Sequence, residues 1–153
     1  MNNKLAIKIS LEIEQIDELF VVYADLLEKA RRQTPDLVEV AAIGSILHSF
    51  YQGLENIFLR VAKELDRDIP SGSESHRALL HQIGQPTPQR PAVLAPALTQ
   101  KLDGYLTFRH FYRHSYTYFL NWVKLEQLVI SLEAVWSQAK AELNEFLDRL
   151  SST

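Results

Sequence analysis

The sequence predicts an all-α protein, an antiparallel bundle of four long helices plus one short helix. Three observations support this fold class. Apolar residues recur at intervals of three and four along most of the chain, no segment alternates with period two, and glycine and proline concentrate in a few short stretches. Because 153 residues are enough to bury one hydrophobic core, a single domain over residues 1–153 is expected.

The first helix is expected over Ser10–Arg32. Its apolar positions follow the spacing of an amphipathic helix, and Ser10 is a suitable N-cap. The pair Thr34-Pro35 is expected to end this helix and to begin the next one. In the second helix Thr34 would be the N-cap, Pro35 would occupy the first helical position, and Asp36 would lie in the first turn, where a negative charge is favourable.

The second helix is expected to continue to Leu65 and to be the central helix of the fold, since it would be roughly 45 Å long at about 1.5 Å per residue. Gly44 and Gly53 fall inside it. Glycine in a helix interior costs about 1 kcal/mol relative to alanine. Close packing of neighbouring helices against these two positions is the expected compensation.

The rest of the chain predicts three more helices. After a turn at "DIPSGSES", the segment "HRALLHQI" predicts a short helix that Gly84 ends. The segment "QPTPQRPAVLAP" contains four prolines and predicts an irregular surface connection. A fourth helix is expected from Ala92 or Pro96 to about Phe108, and a fifth over about Trp122–Leu150.

Composition limits the function classes that fit. The chain has no cysteine, which excludes a disulfide framework and a thiolate metal site. Its N-terminal segment lacks a long apolar run, so a cytoplasmic protein without membrane contact is expected. The net charge is −3, yet residues 76–124 carry six Lys or Arg against Asp103 alone. A positive region on an acidic chain favours phosphate binding at one place.

The densest chemistry lies in "FRHFYRHSYTY", residues 108–118, with two arginines, two histidines and three tyrosines. In one continuous helix, Arg109 and His114 would point about 140° apart. Aromatic and β-branched residues are also poor helix formers. The bundle is therefore expected to break here, between its fourth and fifth helices, so that the side chains converge. A second copy of the chain across a two-fold axis would also bring such side chains together.

These residues form a recognisable pattern. Arg109, four residues, His114, one residue and Tyr116 give R-x4-H-x-Y, with the polar His110 directly after the arginine. Together with "YQGLENIFLRVAKELD", the "DIPSG" turn and "HRALL", the pattern resembles the HepT-like branch of the HEPN superfamily, small all-helical ribonuclease toxins. The resemblance covers nearly the whole chain. It implies one HEPN domain that forms a homodimer, with the two motifs facing each other in a composite cleft.

The resemblance further implies a metal-independent endoribonuclease that needs no cofactor and favours tRNA. Arg109 and His114 would be catalytic, since a guanidinium stays charged on a phosphate and an imidazole can transfer a proton near pH 7. His110 and Arg113 would support them by binding flanking phosphate or by orienting His114. The sequence leaves open which of the two arginines dominates at the phosphate.

The resemblance also implies a partner and a switch. HepT-like toxins of type VII-like toxin–antitoxin pairs are accompanied by a minimal nucleotidyltransferase antitoxin, which transfers AMP onto the tyrosine of the motif. In this chain that residue is Tyr116. An added AMP would place bulk and negative charge at a site that attracts phosphate, and would inactivate the enzyme.

Structural roles are open alternatives for the same residues. Tyr116 would otherwise be a core tyrosine at a helix junction, and His114 a capping or dimer-interface residue. His110 and His114 are four apart, but Asp103 is the one nearby third ligand and H-E-x-x-H is missing, which disfavours zinc. Three other histidines are expected at the surface or an interface: His48, His76 and His81.

Two other function classes also remain open. The first is a non-catalytic HEPN-type module that binds a nucleotide or supports a nucleotidyltransferase. The second is a purely structural oligomerisation unit, for which residues 108–118 would be an uneconomical interface. Growth arrest on expression would distinguish a toxin from either.

Overall fold

The computed structural model describes residues 3–152 of the chain, which form six α-helices and no β-sheet. The all-α prediction is confirmed for this range, although the helices outnumber the four long and one short that were expected. A π-helical turn, Ala62–Asp66, continues α3, and a 3-10 turn, Thr117–Phe119, precedes α6. The α-helices are α1 Asn3–Val22, α2 Ala24–Arg32, α3 Leu37–Val61, α4 Ser75–Ile83, α5 Pro96–His114 and α6 Trp122–Ser151.

The first predicted helix is in fact two helices. Helix α1 begins at Asn3, so Ser10 lies inside the helix and is not its N-cap. The buried stripe of α1 starts upstream of Ser10, at Leu5 and Ile9, and this explains the earlier start. The chain then leaves helical geometry at Tyr23 before α2 begins.

The N-cap of α3 is Asp36, whereas the sequence analysis placed it at Thr34. The Asp36 carboxylate accepts a hydrogen bond from the Glu39 backbone N–H at 2.8 Å, and the Glu39 carboxylate accepts one from the Asp36 N–H at 3.0 Å. This reciprocal capping box satisfies two backbone donors at once. Thr34 and Asp36 are both suitable caps, and the glutamate three residues after Asp36 decides between them.

Helix α3 is the central helix, packed against α1, α4, α5 and α6. Its two glycines sit where neighbouring side chains approach closely. A Cβ added at Gly53 would lie 2.7 Å from Cγ1 of Ile16, and one added at Gly44 would lie 2.7 Å from Cδ1 of Leu120. The close packing predicted at both glycines is confirmed.

Helix α4 ends at Gly84 as predicted, and Pro96 occupies the first turn of α5. The end of α5 differs from the prediction, because the helix continues past Phe108 to His114. Helix α6 begins at Trp122, as expected, with the Asn121 side chain accepting a hydrogen bond from the N–H two residues later. None of the helices formed by residues 3–152 is long and apolar enough to cross a membrane.

The two tryptophans differ in burial. Trp136 is 5% exposed within the core, and its ring N–H donates a hydrogen bond to Asp17 at 2.8 Å. Trp122 is half-buried and packs against the edge of the core. Trp136 is therefore a core residue, while Trp122 lies at the periphery of the core.

A buried ion pair holds the connection between α4 and α5, which the sequence analysis treated as a surface segment. Arg90 donates to both carboxylate oxygens of Asp66, at 2.7 and 2.8 Å, and to the carbonyl oxygens of Gln85 and Pro91. Burial raises the pKa of Asp66, but hydrogen bonds from Arg90 and Gln82 outweigh burial, so the pKa lies below its ordinary value. The pair fastens this connection to the end of α3.

Replacing Arg90 with alanine is expected to lower the free energy of unfolding by about 3–5 kcal/mol, because Asp66 would stay buried without its cation. Urea unfolding followed by circular dichroism measures this loss. Arg149→Ala is the control, since Arg149 forms an exposed pair with Glu145 at 2.8 Å. Removing that pair should cost less than about 0.5 kcal/mol. Similar small losses in both variants would contradict a stabilising role for the buried pair.

Candidate functional site

A cleft of about 370 Å³ opens between α5 and the N-terminal end of α4. The loop that precedes α4 forms a third side. The lining residues are Gly72, Ser73, Glu74, His76, Arg77, Leu106, Arg109, His110, Arg113 and His114. All four of the arginines and histidines that the sequence analysis assigned to catalysis or its support therefore border one cleft.

These four residues lie on one unbroken helix, and the break predicted within residues 108–118 begins only at Ser115, after all four of them. Helix α5 ends at His114, and Ser115 is the first residue in extended geometry. Arg109 and Arg113 are four residues apart on one face, and His110 and His114 are four apart on the adjacent face. The two rows line the cleft side by side, and the imidazole ring centres are 4.6 Å apart. These four side chains reach one cleft without a break in the helix, because both rows border it.

Arg109 lies on the protein side of the cleft and is 5% exposed. Its Nη2 donates a hydrogen bond to the side-chain oxygen of Gln52 at 2.7 Å and lies 3.4 Å from Oε1 of Glu55. Its Nε is buried and has no hydrogen-bond partner among residues 3–152. The guanidinium is thus oriented from α3, and little of it is open to solvent. Arg113, in contrast, is exposed.

Glu55 is 3% exposed and contacts two basic side chains. Its Oε1 lies 3.4 Å from Arg109, and its Oε2 lies 2.8 Å from Nδ1 of His76. A buried carboxylate requires such partners, because burying an unpaired charge costs several kcal/mol. Glu55 follows Tyr51 by four residues and precedes Phe58 by three, and both of these are fully buried.

Neither Glu55 nor His76 was predicted from the sequence as a residue of the site. A detectable pattern was present in α3, where a glutamate interrupts an otherwise apolar stripe. Glutamate is almost never fully buried unless it is paired. Such a position predicts a buried partner, although the sequence does not identify which cation supplies it. His76 was expected at the surface or an interface, and it is instead half-buried at the cleft.

Tyr116 lies outside the cleft, in the extended segment between α5 and the 3-10 turn. It is 70% exposed, so the alternative of a core tyrosine is wrong. Its ring is parallel to that of Tyr118, with centres 5.5 Å apart. The hydroxyl-bearing side chain is accessible to solvent two residues after His114.

His48 packs behind α5, with its ring stacked on Tyr112 at 5.0 Å. Its Nδ1 is buried and has no hydrogen-bond partner within the described chain. Burial lowers the pKa of His48, and the positive charges of Arg109 and Arg113 lower it further. His48 is therefore a partly buried, neutral residue that packs against Tyr112 of α5.

Basic side chains predominate in the lining of the cleft. Among the described residues that line it, three are arginines, three are histidines and one, Glu74, is a carboxylate. Two of the arginines are paired with carboxylates, Arg77 with Asp103 and Arg109 with Glu55. Within residues 3–152, no three histidine, aspartate or glutamate side chains are arranged to hold a metal ion. Charged guanidinium groups can bind a phosphate, and neighbouring imidazoles can transfer protons to and from its reacting oxygens.

Comparison with family models gives a match over most of the chain. A family model described as HepT-like protein matches residues 42–150, which include every residue that lines the cleft. Searches of curated proteins and of solved structures gave no match.

The lowered pKa of His48 predicts a pH dependence of stability. The unfolded chain binds a proton on this residue near pH 6.5, but the folded chain does so only at lower pH. Stability is therefore lost as the pH falls below about 6.5. In His48→Gln, the decrease in Tm between about pH 7.5 and 5.5 should be smaller than in the wild type.

His81→Gln is the control for this measurement, because His81 is exposed on α4 and outside the cleft. Its Tm should follow the wild-type pH dependence. An unchanged pH dependence in His48→Gln would show that another group is responsible.

Proposed function

The chain belongs to the HepT-like family, and we propose that it is the toxin ribonuclease of a toxin–antitoxin pair. The family match confirms the resemblance inferred from the sequence, and the family points to a HEPN toxin-related, nuclease-related function. The observation that carries the finer proposal is the basic cleft, where two arginines and two histidines of α5 meet a third histidine from α4.

The proposed reaction is transesterification of an RNA phosphodiester. The 2′-hydroxyl attacks the adjacent phosphorus and the 5′-oxygen leaves, which gives a 2′,3′-cyclic phosphate and a 5′-hydroxyl. Two proton transfers and stabilisation of the phosphate charge are required. His114 would carry out one proton transfer, and guanidinium groups would supply the charge, so the reaction would proceed without a metal ion.

The two arginines would have different roles. Arg113 is exposed and would make the first contact with a phosphate that enters the cleft. Arg109 is held in place by Gln52 and Glu55 and would fix the position of the reacting phosphate with its remaining donors. His110, beside His114 at 4.6 Å between ring centres, would bind a flanking phosphate or orient the catalytic ring.

The proposed substrate is tRNA, near its single-stranded end. The family resemblance favours this RNA, and exposed aromatic faces support it. Tyr116 is 70% exposed and Tyr118 is 66% exposed, beyond the end of α5. Unpaired bases stack on such faces without strict sequence preference, which suits a single-stranded tRNA end.

We further propose that the enzyme is a homodimer. Phe111 and Phe119 are 38% and 56% exposed and border a largely apolar pocket of about 280 Å³ beside α5. A second copy covering this face would remove exposed aromatic surface from water. The family resemblance favours a composite cleft, in which the motif residues of the two copies would face each other.

Tyr116 is the proposed site of inhibitory adenylylation by a minimal nucleotidyltransferase antitoxin. Its exposure supports access by a modifying enzyme, since the side chain is not packed in the core. An attached AMP would carry a negative phosphodiester close to His114 and Arg113. It would compete with RNA both by charge and by volume.

Purified protein is expected to cleave tRNA in the presence of EDTA and to leave 2′,3′-cyclic phosphate ends. His114→Ala should lower the cleavage rate by roughly 100-fold or more, because one proton transfer would be lost. His81→Ala is the matched control and should cleave like the wild type, since His81 lies outside the cleft. Gel electrophoresis of end-labelled tRNA measures both rates.

Two outcomes would overturn the ribonuclease proposal. Cleavage that His114→Ala leaves unchanged would indicate a contaminating nuclease. A complete lack of cleavage, combined with intact binding to the nucleotidyltransferase and normal growth on expression, would favour the non-catalytic nucleotide-binding or scaffold module.

Co-expression with the neighbouring nucleotidyltransferase is expected to raise the mass of the protein by whole AMP units and to suppress tRNA cleavage. Tyr116→Phe should remove the mass increase, because the accepting hydroxyl is lost. Tyr118→Phe is the matched control, since the two rings are parallel neighbours with similar exposure. Intact mass spectrometry decides the result, and modification that persists in Tyr116→Phe would assign the switch to another residue.

A further inference from the structure

We propose that His76 is a second proton-transfer residue of the cleft, which accepts the 2′-hydroxyl proton of the RNA while His114 protonates the leaving 5′-oxygen. This inference rests on the proposed ribonuclease function and deepens it. It assigns each of the two required proton transfers to a named imidazole.

His76 is placed at the cleft by α4, and its side chain is 44% exposed. Its Nδ1 lies 2.8 Å from Oε2 of Glu55, whose side chain is 3% exposed. A carboxylate only accepts hydrogen bonds, so Nδ1 of His76 carries the hydrogen in this pair. The lone pair of the neutral ring is then on Nε2, the nitrogen that remains available to a ligand.

A histidine oriented by a buried carboxylate is a recurrent arrangement for a general base. The carboxylate fixes the tautomer and the ring orientation, and it stabilises the imidazolium that forms when the ring accepts a proton. Of the three cleft histidines in the described chain, only His76 is hydrogen-bonded to a carboxylate. His110 and His114 contact each other and lack this constraint.

The same carboxylate connects His76 to the arginine of the motif. Oε1 of Glu55 lies 3.4 Å from Nη2 of Arg109, while Oε2 bonds His76. Side chains from α3, α4 and α5 therefore meet at one buried group. A base and a phosphate-binding cation held by one rigid residue keep a fixed separation, which is the preorganisation that phosphoryl chemistry requires.

The proposed step balances without another reactant. Nε2 of His76 takes the 2′-hydroxyl proton as the 2′-oxygen bonds to phosphorus. The bond from phosphorus to the 5′-oxygen breaks, and its electron pair receives a proton from the His114 imidazolium. His76 finishes protonated and His114 neutral, and proton exchange with water restores both.

Two RNA substrates test this assignment, one of them with sulfur in place of the scissile 5′-oxygen. A sulfur leaving group departs without protonation, so it removes the need for the acid but not for the base. His76→Gln should slow cleavage of both substrates by roughly 100-fold. His114→Ala should slow cleavage of the ordinary RNA only. His81→Gln, on the same helix but outside the cleft, should cleave both substrates at the wild-type rate.

Binding and folding are measured on the same variants. His76→Gln should bind a non-cleavable 2′-deoxy analogue with wild-type affinity and keep the wild-type circular dichroism, because a half-exposed side chain is changed. In the nitrogen NMR spectrum of the wild-type protein, His76 should show the tautomer protonated at Nδ1. The tautomer protonated at Nε2 would overturn the geometric premise independently of any activity.

The remaining outcomes distinguish failure of the His76 assignment from failure of the proposed ribonuclease function. If the wild type cleaves RNA and His76→Gln cleaves as fast as His81→Gln, the role of His76 is overturned and the ribonuclease stands. If His76→Gln cleaves the sulfur substrate at the wild-type rate, the assignment of His76 as the base is overturned. No cleavage by the wild type would overturn both.

Discussion

The buried carboxylate of Glu55 is the constraint on which the geometry of the cleft depends. It lies on the central helix, 3% exposed, and one oxygen contacts Arg109 while the other contacts His76. An ionised carboxylate in this position is tolerable only with a compensating cation, so α5 must present its arginine to α3. The same requirement holds the N-terminal end of α4 close to α5. The contacts that compensate the buried charge of Glu55 therefore hold the walls of the cleft together, and they position Arg109 and His76 directly.

This constraint gives the two arginines of the segment unequal freedom. Arg109 is bound by Gln52 and Glu55, and Gln52 in turn donates to Asn56, which donates to Glu12 of α1. The guanidinium is thus part of a polar chain that crosses the bundle from α1 to α5. A residue held in this way loses little conformational entropy when a ligand binds, whereas an exposed arginine loses more. The two proposed roles are complementary, because Arg113 would attract a phosphate and Arg109 would fix its position.

The sequence predicted the helices of the bundle better than it predicted which side chains of different helices meet. Periodicity predicted an all-α chain, and the glycines of α3 predicted close helix packing, because both depend on local pattern. Helix ends were predicted less accurately. Helix α1 begins at Asn3, because its buried stripe extends upstream of Ser10, and Asp36 rather than Thr34 caps α3, because Glu39 completes a reciprocal pair of hydrogen bonds. The expected break lies at Ser115, later than the helix end predicted near Phe108, because helix propensity is weak against tertiary packing. Glu55 and His76 are 21 residues apart, and only the folded chain brings them together.

The end of helix α5 determines where Tyr116 lies relative to the cleft. The extended segment begins at Ser115, one residue after the last cleft-lining side chain, and it leaves Tyr116 exposed. A tyrosine inside α5 would have been fixed on one face of the helix, whereas an extended residue projects away from it. The proposed acceptor of AMP is therefore separate from the proton-transfer groups and yet only two residues from His114. A negative group attached there would be three residues along the chain from Arg113, and the field of a charge is only partly screened within a Debye length, about 8 Å at physiological salt. The proposed modification would thus act on the cleft from outside it, at a residue that the proposed proton transfers do not use.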